Sequence, residues 1–213
     1  MSERVLGAVF DLDGLLIESE SRWKVAERRF VEGHGGVYSN AIGLALTGSS
    51  AAEAMRVLGE SVGWTPDRSA EVIDQLYGFL DEAVEELGLE QMPGAADLVR
   101  SLAGQMPLAI ASNTRTAMVL ANVERSGLPA SFAAVLGSDG LTPKPAPDIY
   151  LAACRAIGVA PERALAFEDS IPGAAAARAA GMIVVAVPTH ADEVIDCDLR
   201  LGSLAEFSLD LIA

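Results

Sequence analysis

The alternation of two sequence periods narrows the fold of this chain more than any other feature. Short β-rich apolar runs recur at VLGAVF (5–10), PLAIAS (107–112), FAAVLGSD (132–139), RALAFEDS (163–170) and MIVVAVP (182–188). Near-continuous apolar runs of this length suit strands buried on both faces, as in a parallel sheet. Parallel neighbours need long crossovers, and the helix-like stretches TRTAMVLANVERSG and PDIYLAACRAIG supply them, each ending in glycine where a C-cap belongs. The pattern predicts an α/β chain built on a doubly wound parallel sheet.

One region breaks the alternation. From about Ile17 to Met92 the sequence reads as successive helices without a convincing strand. SESRWKVAERRFVEG carries Trp23, Ala26 and Phe30 on one stripe. SSAAEAMRVLG spaces Ser50 and Glu53 as a capping box, and PDRSAEVIDQLYGFLDEAVEEL repeats Ile73, Leu76, Leu80, Val84 and Leu87 at helical intervals. Pro93 and Gly94 mark its exit. The expected organisation is a discontinuous catalytic core, residues 1–16 and 93–213, with an all-helical cap at 17–92.

Composition bounds the partners. Of 213 residues 51% are hydrophobic, enough for a sizeable core. Thirty acidic residues against 15 basic ones give a net charge of -15, which repels a nucleic acid or an anionic membrane surface. Cys154 and Cys197 lack metal-type spacing and are read as free thiols in a reducing compartment. The first apolar run enters DLDG directly, with no cleavage site and no bilayer-length segment. A cytoplasmic protein, monomeric or weakly homodimeric, is expected.

In open α/β sheets ligands bind beyond the carboxyl ends of the strands. The residues there are Asp11 and Asp13 after the first run, Ser112 and Asn113 after the second, Lys144 after the third, and Glu168 and Asp169 after the fourth. Four carboxylates with one lysine and one hydroxyl make a poor core but a good site for a hard cation such as Mg²⁺ and a phosphoryl group. Lysine is scarce in this chain, only Lys24 and Lys144 against 13 arginines. A compact ammonium at 144 suits phosphate contact in a crowded site, whereas Lys24 reads as solvated helix surface.

Through these residues the chain resembles the haloacid dehalogenase superfamily of phosphotransferases, in its β-phosphoglucomutase-like branch with a small helical cap. DLDGLLIES, ASN (111–113), KPAPDIY (144–150) and FEDSIPGAAAARAAGM (167–182) resemble its four motifs in order and span nearly the whole chain. The resemblance implies a Rossmann-like core in which Asp11 is the nucleophile that forms an aspartyl-phosphate. Asp13 would protonate the leaving oxygen and then activate water. It implies that Asp11, the backbone carbonyl of Asp13, Glu168 and Asp169 hold Mg²⁺, and that Ser112, Asn113 and Lys144 hold the phosphoryl group of a small phosphate ester.

Departures inside the family sharpen this. Asp13 speaks against carbon–halogen cleavage, and Lys24 does not sit in the context of the phosphonate-cleaving relatives. The mutases of this branch carry a cap histidine and arginine where this chain has Trp23 and Ala51, which favours a plain phosphatase, with the sugar-phosphate mutase as the alternative. DGLLIESESRW looks most like the hexose-phosphate phosphatases. Glu18, Trp23 and the Gly48–Ser50 loop are candidate substrate contacts in a cap that closes over the site. Trp23 reads equally as a core anchor, His34 as a loop residue without a role and His190 as surface. Thr114 is preferred to Asn113 as the cap of the following helix. A phospho-receiver domain shares the acidic pair but is shorter and lacks a helical insert. A dinucleotide-binding enzyme would need a glycine-rich first turn, which Gly14 alone does not supply.

Overall fold

A computed structural model of the chain describes residues 5–46, 51–189 and 192–212, with the side chains of Ala51 and Ala52 left aside. The Gly48–Ser50 loop, the capping role of Ser50 and His190 lie outside the described residues, as does the Ala51 side chain. The chain forms two compact units, Ser19–Gly88 and Met1–Glu18 with Leu89–Ala213.

In chain order the elements are β1 (Gly7–Phe10), β2 (Ile17–Glu18), α1 (Glu20–Gly33), α2 (Asn40–Leu46), α3 (Ala51–Ser61), α4 (Ser69–Leu87) and β3 (Glu90–Gln91). They continue as α5 (Ala95–Ala103), β4 (Leu108–Ala111), α6 (Thr116–Arg125), β5 (Ala134–Leu136), α7 (Asp148–Ile157), β6 (Ala164–Glu168), α8 (Ile171–Ala179), β7 (Ile183–Ala186) and β8 (Leu199–Arg200). The main sheet has six parallel strands in the order β5-β4-β1-β6-β7-β8. β1 is central, paired to β4 on one side and to β6 on the other, so its carboxyl end lies inside the sheet and away from the edges. This is the doubly wound α/β fold that the apolar runs predict.

Side-chain alternation along the strands divides the core into two layers. Ala8, Phe10, Ile110 and Phe167 face α5 through Leu98, Val99 and Leu102, while Val9, Ala109, Ala111 and Ala166 face α7 and α8. The first layer is bulky: Phe10 and Phe167 stack with ring centroids 4.6 Å apart, and Phe207 meets Phe167 edge-on at 4.8 Å. The second is built of small residues on both sides, with Ala174, Ala176 and Ala177 of α8 against strand alanines, so that helix and sheet approach closely. Cys154 lies buried in this layer and both cysteines are free thiols.

Two short features depart from the expected strand pattern. β2 and β3 pair antiparallel, with Ile17 opposite Gln91 and Glu18 opposite Glu90, in a region expected to be helical throughout. This ribbon belongs to the sheet unit, so the helical unit begins at Ser19 and ends at Gly88, inside the expected bounds of 17–92. β8 adds a two-residue edge strand that no apolar run announces.

In the helical unit α1 packs on α4. Ala26 and Phe30 are buried, and Trp23 is half-buried with its ring edge-on to Tyr77 at 5.8 Å. The buried stripe of α4 is Val72, Leu76, Leu80, Ala83 and Val84, whereas Ile73 is only partly covered and Leu87 is exposed. The stripe drifts because 3.6 residues per turn carries positions 73 and 87 off the centre of the face. Arg22 is buried with its Nε donating to the Gly88 carbonyl at 2.8 Å and Nη2 to Leu87 at 3.3 Å, satisfying end-of-helix carbonyls with a cation. His34 does have a structural role: its Nδ1 is 2.6 Å from the Phe30 carbonyl and its ring packs against Phe30 and Trp64, each at 4.7 Å. No helix among the described residues is long and apolar enough to cross a membrane.

Candidate active site

β1 delivers Asp11 to the carboxyl end of the sheet with its backbone still in the ladder, its N–H donating to the Phe167 carbonyl at 3.0 Å. β6 ends alongside on Glu168, with Asp169 next in the chain, and the loop before α7 brings Lys144 in from the other side. Lys144 uses all three of its donors. Its Nζ lies 2.5 Å from Asp11 Oδ1, 2.6 Å from Glu168 Oε1 and 2.8 Å from the Ala111 carbonyl. The side chain is only 4% exposed, that of Asp11 11% and that of Glu168 not at all.

Glu168 is held from every side. Oε1 accepts from Lys144 and from the Tyr150 hydroxyl, and Oε2 accepts from Ser170 Oγ at 3.1 Å. Ser170 is also the N-cap of α8, accepting from Gly173 N–H at 3.2 Å. A Cβ at Gly173 would collide with the Glu168 carboxylate, so the start of α8 must be glycine for the carboxylate to fit. Gly14 plays the same part for Asp169: its φ is +83°, and a Cβ there would strike the Asp169 carboxylate. The glycine of DLDG therefore makes the turn and leaves room for a neighbouring acid.

Asp13 is treated differently from Asp11. Its Oδ2 accepts from Ser112 Oγ at 3.0 Å and from Thr114 Oγ1 at 2.9 Å, and Thr114 N–H in turn donates to Ser112 Oγ at 3.0 Å. Two hydroxyls thus surround one carboxylate of the pair and an ammonium the other. Asp169 accepts from Thr189 Oγ1 at 2.8 Å.

The electrostatics follow from crowding. Burial pushes the Asp11 carboxyl well above the usual carboxylate range; Lys144 opposes this, but the charges of Glu168, Asp169 and Asp13 add to it. Burial and Glu168 push Asp169 up to about 7. For Lys144 burial disfavours the ammonium, yet Asp11 and Glu168 outweigh it and its pKa rises. Burial and the Glu168 charge raise the Tyr150 phenol well above its ordinary value, so it remains a donor.

One oxygen each from Asp11, Glu168 and Asp169 lie within 4.8 Å of one another. One lysine does not neutralise these acids together with Asp13, and a hard divalent cation takes oxygen ligands of this kind, so the donor set fits Mg²⁺.

Several side chains stand elsewhere than the sequence suggests. Asn113, expected to contact a phosphoryl group, also braces Lys144: its Oδ1 accepts from the Lys144 N–H at 2.8 Å and its Nδ2 donates to the Lys144 carbonyl at 3.4 Å. Ser112 Oγ directs its proton to Asp13. Neither Asn113 nor Thr114 caps α6. Asp139 does so from across the sheet end, its Oδ2 accepting from Thr116 N–H at 2.6 Å. Glu18 lies half-buried on the β2–β3 ribbon, outside the main sheet. Lys24, by contrast, is where the sequence places it, on the exposed face of α1 and 2.7 Å from Glu20. Thr114, Tyr150, Ser170 and Thr189 are members of the site that sequence reasoning missed. For Tyr150 the signal was present in KPAPDIY, a hydroxyl on an otherwise apolar face of a helix starting beside the lysine.

A family model of haloacid dehalogenase-like hydrolases matches residues 5–181. The chain belongs to this family. It is 32% identical over 191 residues to the fructose-1-phosphate phosphatase of Escherichia coli (strain K12), covering 88% of this chain and 98% of that protein. It is 31% identical over 207 residues to the bifunctional riboflavin kinase/FMN phosphatase of Arabidopsis thaliana, covering 91% of this chain and only 54% of that protein. Among solved structures, CbbY from Rhodobacter sphaeroides in complex with phosphate superposes with a TM-score of 0.83 at 28% identity, covering 95% of this chain and 96% of that one. A point mutant of that CbbY has been solved in complex with xylulose-(1,5)bisphosphate. The matched residues take in the whole helical unit, Ser19–Gly88, and every acid and the lysine gathered at the sheet end.

Proposed function

We propose that this hydrolase is a Mg²⁺-dependent phosphatase of small phosphomonoesters, sugar phosphates foremost, working through an aspartyl-phosphate in the cytoplasm as a monomer or weak homodimer. The observation that carries the reading is the unequal treatment of the two carboxylates of DLD: Asp11 faces the Lys144 ammonium, and Asp13 faces the hydroxyls of Ser112 and Thr114. An acid and a nucleophile one residue apart need separated environments to do separate work.

Asp11 attacks phosphorus and the bond to the ester oxygen breaks, with Asp13 giving its proton to the leaving alcohol. Asp13 then takes a proton from the water that attacks the aspartyl-phosphate, and Asp11 and inorganic phosphate are released. Lys144 balances charge on the phosphoryl oxygens, and Asn113 fixes the lysine's backbone for that task. Ser112 turns its hydroxyl from Asp13 to the phosphoryl group when substrate arrives. Asp11, the Asp13 carbonyl, Glu168 and Asp169 would hold Mg²⁺, which when bound offsets the clustered negative charge and polarises a phosphoryl oxygen. Glu18 is the sheet unit's candidate for contact with the rest of the ester.

Relatives named as acting on fructose 1-phosphate, FMN and carbohydrate phosphates support the substrate class. A sugar-phosphate mutase is the second reading, and Trp23, packed on Tyr77 where those enzymes carry a histidine, speaks against it. The test is phosphate release from hexose 6-phosphates, fructose 1-phosphate, glucose 1-phosphate and phosphoglycolate, with Mg²⁺ and with chelator. Chelator-sensitive release from the sugar phosphates is expected. Loss of glucose 1-phosphate without phosphate release would overturn the phosphatase reading in favour of the mutase.

A further inference from the structure

Tyr150 brings into the core a hydroxyl that the proposed chemistry does not use. It stands in the first turn of α7, fully buried in the layer formed with Val9 and Ala153. Phenylalanine would fill the same space, and a buried hydroxyl must find a partner or cost stability. Its partner is Glu168 Oε1, the oxygen that Lys144 also uses. The ring meanwhile lies beneath the ammonium, with Lys144 Nζ 4.8 Å from its centroid. One side chain therefore touches both halves of the buried ion pair, Lys144 with its face and Glu168 with its hydroxyl.

All three Lys144 donors are engaged, by Asp11, Glu168 and the Ala111 carbonyl, so contact with a phosphoryl oxygen requires one of those bonds to loosen. A second donor on Oε1 draws off part of the negative charge that holds the ammonium to Glu168. We propose that Tyr150 is a positioning residue: by sharing Glu168 Oε1 it keeps the Lys144 ammonium free enough to turn toward the phosphoryl group. This deepens the phosphatase reading and rests on it for the role of Lys144.

The variant that isolates the hydroxyl is Tyr150→Phe in the full chain, which keeps the ring under the ammonium. Because Lys24 and Lys144 are the only lysines, ¹⁵N-lysine labelling yields two side-chain ammonium signals, with the exposed Lys24 as internal reference. Tyr150→Phe should shift the Lys144 signal and leave that of Lys24 in place. It should weaken binding of inorganic phosphate by about tenfold and lower kcat/KM by the same factor, the scale of one hydrogen bond to a charged group. Replacing tyrosine by 3-fluorotyrosine, a stronger donor, should move the Lys144 signal the opposite way, which guards against a variant that merely folds poorly. A folded Tyr150→Phe protein with an unmoved Lys144 signal and unchanged phosphate affinity overturns the proposal. A moved signal in a protein that hydrolyses no phosphomonoester would leave the positioning intact and overturn the phosphatase reading.

Discussion

Lys24 and Lys144, one in the helical unit and one in the sheet unit, both sit at hydrogen-bond distance from a carboxylate, yet the two pairs do opposite things. Lys24 and Glu20 are 2.7 Å apart with side chains 56% and 39% exposed, one turn apart on α1. Such pairs recur through the helical unit, in Arg28 with Glu32, Arg56 with Glu53 and Glu60, and Arg68 with Glu71. In water each is worth a few tenths of a kcal/mol and mainly keeps the helix faces soluble. Lys144 is buried between Asp11 and Glu168, where charge is costly to desolvate and the attraction cannot be screened. Distance is nearly the same in the two cases, and burial decides what the pair means. The sheet unit concentrates its electrostatic cost at one strand end, which is what a group-transfer site requires.

Removing the proposed nucleophile is the sharpest way to break the buried side of this contrast. Asp11→Asn should lower turnover by at least about a thousandfold, since the attacking group is gone. Stability in chelator should hold or rise, because a neutral isostere relieves crowding with Glu168, Asp169 and Asp13. Phosphate release and thermal unfolding check the two halves; near wild-type turnover would remove Asp11 from the chemistry. Lys144→Met, which keeps most of the stem, should cost about a hundredfold or more in kcat/KM. It should also cost about 3–5 kcal/mol of stability in chelator by leaving buried carboxylates without their cation. Urea unfolding would show it, and a stable variant would mean that the ammonium is not what neutralises Asp11 and Glu168.

The acids also give the buried cluster a pH signature. Asp169 is raised to about 7 and Asp11 is raised by burial, so the folded protein binds more protons at these sites than the unfolded chain does. Metal-free stability should therefore fall as pH rises from the ordinary carboxylate range toward 7, and Mg²⁺, which favours the ionised acids, should flatten that fall. Unfolding midpoints at pH 5.5 and 7.5, with and without Mg²⁺, measure it. A metal-free midpoint that climbs over this interval would contradict the crowding.

How much of this was legible beforehand depended on how far each interaction reaches. The strands were legible because β1, β4, β6 and β7 are largely buried on both faces and read as unbroken apolar runs; the ends of β1, β4 and β6 pointed to Asp11, Asp13, Ser112, Glu168 and Asp169, and the loop after β5 to Lys144. β2, β3 and β8 are two residues each, too short to leave a period. What stayed hidden was the partner of each polar side chain. Asp139, 23 residues further along the chain, accepts from the first N–H of α6, Asn113 bonds the backbone of Lys144, and the Tyr150 hydroxyl reaches Glu168 from another element. Local rules for caps rank the nearest hydroxyl, Thr114, which the fold instead spends on Asp13. Tertiary contact overrides local preference where polar groups are buried together, and the site is where that happens most.

The smallest expected effect sharpens the exposed side of the contrast. Lys24→Met keeps the stem of the side chain and removes only the charge opposite Glu20, so stability should change by no more than about 0.5 kcal/mol. The change should shrink further at about 1 M salt, where the Debye length falls to roughly 3 Å. The same salt step should leave the cost of Lys144→Met largely in place, because ions do not enter a pair that is 4% exposed on its lysine side. Urea unfolding of both variants at low and high salt makes the comparison directly. Equal salt dependence in the two would mean that water reaches Lys144 as freely as Lys24, and burial would no longer account for the difference between them.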